Sequence, residues 1–275
     1  MSKDLDDQST PILYYSSHDQ MLKILPLERF CENHHNNKFM EMFESDNLDP
    51  SIENNVLSKR AIASNNVEIL SYLLNKGANI SNENMYKITF FYKIKINMIK
   101  FLFDYGIDFI NNTDFIFSCV SSIYGEDIIE FLLAQGMNAN KFLNANIDEK
   151  HLIDVAVKRR YLKAIKILIS YGADPSLNTS RCLSLAIKTG EEEIIRLLLK
   201  NGAQQSSVTP EDLSTMFKSK PSSRLINFLV DQGFDFSMVN NVKFDKPYID
   251  EICPMLIELG VDSFQLIKIF SSEKN

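Results

Sequence analysis

An all-α repeat fold is predicted for this 275-residue chain by three coupled observations. Seven of its nine glycines, Gly77, Gly106, Gly136, Gly172, Gly202, Gly233 and Gly260, recur at intervals of 29, 30, 36, 30, 31 and 27 residues, the signature of one supersecondary unit copied along the chain. Each closes an amphipathic run such as Glu193-Ile194-Ile195-Arg196-Leu197-Leu198-Leu199, whose apolar residues cover a wide helical face. A small or apolar residue follows, and then usually Asp or Asn, whose short side chain bonds to nearby backbone in turns.

The elements follow in order. Residues 1–16, carrying Asp4, Asp6 and Asp7, precede the first amphipathic run and are expected to form a flexible tail ahead of a solenoid spanning 17–275. In the first copy, Lys38-Phe39-Met40-Glu41-Met42-Phe43, the glycine is missing. That run ends at Asn47-Leu48-Asp49-Pro50, parallel to Gly172-Ala173-Asp174-Pro175, and Asn47 lies 30 residues before Gly77. Asn is the next best residue for a left-handed helix cap. Gly125 and Gly190 lie 11 and 12 residues before Gly136 and Gly202, where a first helix turns into a second. Near the end, Pro254 falls inside a predicted second helix and makes it start late or kink. Ser263 is placed to cap a last helix, 264–270, as a lid on the final repeat. The count is about eight degenerate repeats including terminal caps.

The segment Arg181-Cys182-Leu183-Ser184-Leu185-Ala186, with Gly190, Ile194-Ile195, Leu197-Leu198-Leu199 and Gly202-Ala203, resembles the ankyrin repeat family. Residues 61–79 and 156–174 are similar copies, and the resemblance covers roughly residues 20–270. No copy has the Thr-Pro-Leu-His opening of the family's first helix, and most intervals fall short of its usual length of about 33 residues. The resemblance therefore implies an ankyrin-like helix-turn-helix solenoid whose β-turn fingers are shortened. The exception is the stretch around 138–149, where six extra residues are expected to build a longer finger. It also implies a non-enzymatic scaffold or adaptor that binds a protein on the concave face made by the first helices and turn tips. The Asn-, Ile- and Lys-rich composition without Trp looks like that of ankyrin proteins of giant DNA viruses of amoebae, which implies an adaptor in host cytoplasm.

Two other classes stay open: a structural or self-associating repeat protein, and a regulatory subunit of an enzyme complex. Charge and targeting narrow the field. A net charge of −7 disfavours nucleic acid as a partner, since neutralising phosphates needs a basic face. The acidic start is unlike a leader peptide, and the most apolar stretch, 88–103, is interrupted by Lys93, Lys95 and Lys100, so a cytoplasmic monomer away from membranes is expected. Cys31, Cys119, Cys182 and Cys253 each lie inside a predicted helical run, where cysteine behaves as a small hydrophobe.

Candidate binding residues come from the ends of the first helices. In the copy ending at Gly172 these positions hold Lys158, Arg159 and Arg160, with Lys150 just ahead of the helix; the next copy adds Arg181 and Lys188. Stacking is expected to set them side by side as a positive stripe on an acidic protein, suited to a partner with an acidic segment. Solvated charge on a helix face is the alternative. Aromatics form a second set: Tyr86 and Tyr92 flank a weakly patterned helix, Phe109 and Phe236 follow cap residues, and Phe244 and Tyr248 lie near the last helix pair. Packing between repeats is the competing role for them.

Catalytic signals are absent. No nucleophile elbow, phosphate loop or dinucleotide fingerprint occurs, so neither an enzyme nor a cofactor is indicated. Cys31, His34 and His35 cluster at a predicted turn, but a tetrahedral metal site needs four ligands and no second pair with ligand spacing accompanies them. Glu191, Glu192 and Glu193 begin a helix, where they complement its dipole.

Overall fold

The computed structural model describes residues 18–81, 93–122, 125–143, 151–218 and 221–236, together with positions 250, 253, 254 and 257. Thirteen α-helices and one short 3₁₀ turn make up the regular structure of these residues; no strand occurs among them. The chain divides into two compact units, Met1–Phe115 and Ile116–Asn275.

In the first unit the helices are α1 (His18–Glu32), α2 (Asn36–Ser45), α3 (Ile52–Ala63), α4 (Val67–Asn75) and α5 (Ile96–Asp104). First helices pack on first helices, α1 on α3, and second helices on second helices, α2 on α4 and α4 on α5. The range of α3 opens with three left-handed residues, Glu53, Asn54 and Asn55, so its right-handed part begins at Val56. Then comes α6 (Thr113–Val120), whose range contains the division between the units.

The second unit continues with α7 (Glu126–Ala134), α8 (Leu152–Lys158), α9 (Leu162–Ser170), α10 (Leu177–Thr189) and α11 (Glu192–Lys200). The 3₁₀ turn Gln205–Ser207, α12 (Pro210–Lys218) and α13 (Ser223–Asp231) follow. The same pairing rule holds, with α8, α10 and α12 stacked in sequence and α7 packed on α9.

One register produces this regularity. In six copies the residues eight, seven and four positions before the closing glycine are buried: Ile69, Leu70 and Leu73; Met98, Ile99 and Leu102; Ile128, Ile129 and Leu132; Ala164, Ile165 and Leu168; Ile194, Ile195 and Leu198; Leu225, Ile226 and Leu229. That spacing puts all three on one helical stripe, which a lone helix would leave in water. The glycine-less first copy keeps the two outer positions as Phe39 and Phe43, which stack at 5.9 Å.

The helix ends repeat as faithfully. At Gly172, φ is 87°, its N–H donates to the Ile169 carbonyl and the Ala173 N–H donates to the Leu168 carbonyl, closing the last turn with a left-handed residue. Asn47 takes the same role in the first copy with φ 46°, as its sequence position predicts. First helices end by the same device, at His34, Asn65, Arg160 and Gly190. Only the last of these is glycine. In the other three, a fixed hydrogen-bond frame holds the turn: His35 N–H to Phe30, Asn66 N–H to Ala61 and Tyr161 N–H to Ala156.

Side chains join successive copies. Twenty-two residues before the glycine, Asn55 and Ser180 both have positive φ, and their side-chain oxygens accept the N–H of Asn79 (3.1 Å) and Gln204 (2.7 Å). Buried Asn66 caps α4 by accepting from Ile69 N–H and donates to the Cys31 carbonyl and to Asn36 Oδ1, tying α4 to the first helix pair. In the long interval, Asn140 donates to the Gly172 carbonyl and accepts from Asp174 N–H, and an antiparallel bridge joins Phe142 to His151. The two ends of the interval expected to carry a longer finger are thus paired, and residues 144–150, where that finger would lie, fall outside the described residues.

Candidate functional site

The basic cluster sits where α8 stops. Lys158 is its last residue, Arg159 caps it in a right-handed conformation, and Arg160 takes the left-handed turn position with φ 59°. A turn whose backbone polar groups are used internally directs its side chains outward, and all three cations are exposed. The neighbouring copy places Gly190 at the Arg160 position and Glu191 immediately after it. Arg160 Nη1 donates to Glu191 Oε1 across these two turns at 3.1 Å, with both side chains largely in solvent.

On α10, Arg181 is half-buried and Lys188 is exposed near the C-terminal end. Lys188 Nζ lies 2.9 Å from Oδ1 of Asp212, a buried carboxylate. Asp212 belongs to a capping box: its Oδ2 accepts from Thr209 N–H at 2.9 Å while Thr209 Oγ1 accepts from Asp212 N–H. Ser184 Oγ donates to it as well, at 2.8 Å. Burial alone raises the carboxyl's pKa, but the Thr209 N–H, Lys188 and Ser184 more than offset that and hold it below the usual carboxylate range. Of the cations read from the sequence, then, Arg160 and Lys188 each meet a carboxylate from the next copy. Lys150, Tyr86 and Tyr92, together with Phe244 and Tyr248, lie outside the described residues.

The second helices carry their own ionic ladder. Lys163 pairs with Glu126 at 2.7 Å and Lys166 with Glu193 at 3.0 Å. Glu192 receives both Arg196 (2.8 Å) and Arg224 (3.2 Å), and Arg196 lies 3.7 Å from the ring centroid of Phe228. An open groove of about 400 Å³ runs beside this stack, lined in part by Asn227 and Asp231. The glutamates at the start of α11, read as dipole partners, therefore also clamp neighbouring repeats.

Two aromatic candidates are corrected. Phe109 and Phe236 are buried, Phe109 against Phe115 at 4.7 Å and Phe236 against Phe217 at 5.6 Å, because the residue three after Gly106 and Gly233, like Ile80 and Ala139 after Gly77 and Gly136, points into the stack. Among the described residues the aromatics left in solvent are Tyr105, Tyr171 and Phe142, and Phe142 meets the ring of His151 at 5.7 Å.

The Cys31, His34, His35 group is split by the turn: Cys31 is buried in α1, while both histidines are exposed. Among the described residues no group of three or more His, Cys, Asp or Glu is placed to hold a metal ion. Burial pushes the thiols of Cys119 and Cys182 up to about 12, and burial first, then Glu28, raises that of Cys31. Such thiols stay protonated and unreactive at neutral pH. No described helix is long and apolar enough to cross a membrane.

Sequence comparison agrees with the geometry of the helix pairs. Residues 116–212 match the family model for ankyrin repeats, in 3 copies. The chain is 27% identical over 264 residues to the ankyrin repeat protein R598 of Acanthamoeba polyphaga mimivirus, covering 90% of this chain and 82% of that protein. It is 25% identical over 242 residues to R601 of the same virus, covering 86% and 75%. It is also 28% identical over 129 residues to ankyrin repeat and SOCS box protein 14 of Homo sapiens, covering 43% and 21%.

Proposed function

We propose, on the premise that residues 116–212 of this chain are ankyrin repeats, that it is a non-enzymatic adaptor whose first helices and interhelical turns form a concave face for a protein partner. Ankyrin repeats mediate protein association, and a stack already folded presents its surface without an ordering penalty, so more of the contact energy appears as affinity. The observation that carries the reading is the exposed Lys158-Arg159-Arg160 turn on a chain of net charge −7. A local positive patch on an acidic protein selects partners by charge complementarity, which points to an acidic segment. The adaptor acts as a cytoplasmic monomer, in host cytoplasm if the chain is viral, and engages neither nucleic acid nor membrane. A standard interface of about 1,600 Å² spans several repeats.

The test compares cross-linked partners captured from source-cell extract by the natural chain and by the K158E/R159E/R160E variant. Loss of a specific captured protein on charge reversal, with helical content unchanged, supports the reading. An identical capture profile counts against it.

A further inference from the structure

We infer that Glu191 is an internal stand-in for the partner's carboxylate: it occupies Arg160 in the free protein and is displaced when an acidic peptide docks on the Arg159-Arg160 turn. This rests on the adaptor reading above and adds how its basic face is gated. The two pairs that hold the predicted cations differ in kind. Lys188 is bound to a carboxylate that is buried and also held by the Thr209 backbone and the Ser184 hydroxyl, so nothing from solvent replaces Asp212. Arg160 is bound to Glu191 by a single 3.1 Å contact, and the side chains are 57% and 42% exposed. An exposed pair of this geometry is weakly held and exchanges readily for another carboxylate. A guanidinium presents several donors in a planar fork, so the vacated nitrogen and its neighbours can take an incoming carboxylate in two-pronged fashion, which the single Glu191 contact does not achieve. Arg159 stands exposed beside it on the same turn and supplies a second cation. Glu191 is fixed by its place ahead of α11, so it is a tethered competitor of constant local concentration.

Glu193 supplies the control. It lies two residues along, is exposed, and pairs with Lys166 on the second-helix face, so neutralising it changes net charge equally without freeing Arg160.

The experiment titrates a fluorescein-labelled ten-residue glutamate peptide with the full chain by anisotropy, at about 50 mM salt, where exposed charges are least screened. The expected result is saturable binding that tightens about fivefold in E191Q, changes less than twofold in E193Q, and weakens about tenfold in R159A and in R160G. R160G keeps the turn, since the next copy uses Gly190 there. In the R160G background E191Q is expected to have no further effect. Equal tightening by E191Q and E193Q overturns the stand-in and leaves the basic face intact. Absence of saturable binding in both the natural chain and E191Q, or binding unmoved by R159A and R160G, overturns the basic face and the stand-in together.

Discussion

Lys188 and Asp212 form an ion pair of unequal partners, an exposed ammonium 2.9 Å from a carboxylate that water hardly reaches. Asp212 thereby serves the start of its own helix and, on α10, the Ser184 hydroxyl and the lysine at once. D212N keeps the shape but weakens three charge-assisted contacts, and is expected to lower stability by about 1.5–3 kcal/mol in urea titration at neutral pH. K188A, which leaves the other two donors in place, is expected to lower it by less.

Acid unfolding reads the same site. A carboxyl held below its unfolded value of 3.8 contributes stability that is complete above that value and is lost as pH falls through the folded one. Stability of the natural chain should therefore drop below about pH 4. The drop is expected to be shallower in D212N, whose amide does not titrate; parallel curves for the two proteins would contradict the assignment.

Asn66 tests the joint between the first helix pairs. Its side chain caps α4 and reaches both Cys31 O and Asn36 Oδ1. N66A removes the cap and leaves buried polar groups unpaired, so a loss of about 1–3 kcal/mol is expected. N66D restores the cap but cannot donate, and should recover only part of that in thermal melts.

Two glycines are required for different reasons. Gly172 has open space around a would-be Cβ but φ of 87°, so G172A is expected to lower stability by about 1–2 kcal/mol through backbone strain. Gly125 has an ordinary φ, yet a Cβ there would overlap the Cys119 carbonyl and backbone. G125A must shift the end of α6, at a cost of about 1–3 kcal/mol. Crystal structures or backbone chemical shifts of the two variants should separate them, with displacement confined to G125A.

Thiol accessibility provides an independent check on the helix register. Cys31, Cys119 and Cys182 are buried, whereas Cys253 is partly exposed. A maleimide or disulfide reagent at neutral pH should label Cys253 first, the other three reacting only as denaturant opens the stack. Prompt labelling of Cys182, which donates to the Pro175 carbonyl, would mean that α10 is packed otherwise.

Where chemistry marks a position, the amino-acid sequence was readable. The second-helix ends carry glycine because φ near 90° excludes most side chains, and even the exception, Asn47, was legible from Asn's tolerance of that region. The first-helix ends share the same backbone state but no residue type: His34, Asn65 and Arg160 adopt it within a frame of local main-chain hydrogen bonds, which involves no side chain and so leaves no residue-type signature. Basic residues at 158–160 and 188 were found by position. The pairings of Arg160 with Glu191 and of Lys188 with Asp212 are not legible in the sequence, since contacts across 31 and 24 residues become visible only once the copies are in register. Thr209-Pro210-Glu211-Asp212 is the available clue, reading as Thr-x-x-Asp, a helix start whose acid has capacity for a further donor. Phe109 and Phe236 depart from the expectation because following a cap resembles being on a turn, while the third residue after Gly106 and Gly233 faces inward.

Asn140 and the Phe142 to His151 bridge fasten the extended interval at its root. Material added beyond that fastening leaves the spacing of the helices on either side unchanged. Changes of length between the two fastened ends are thereby absorbed without disturbing how the flanking helix pairs stack.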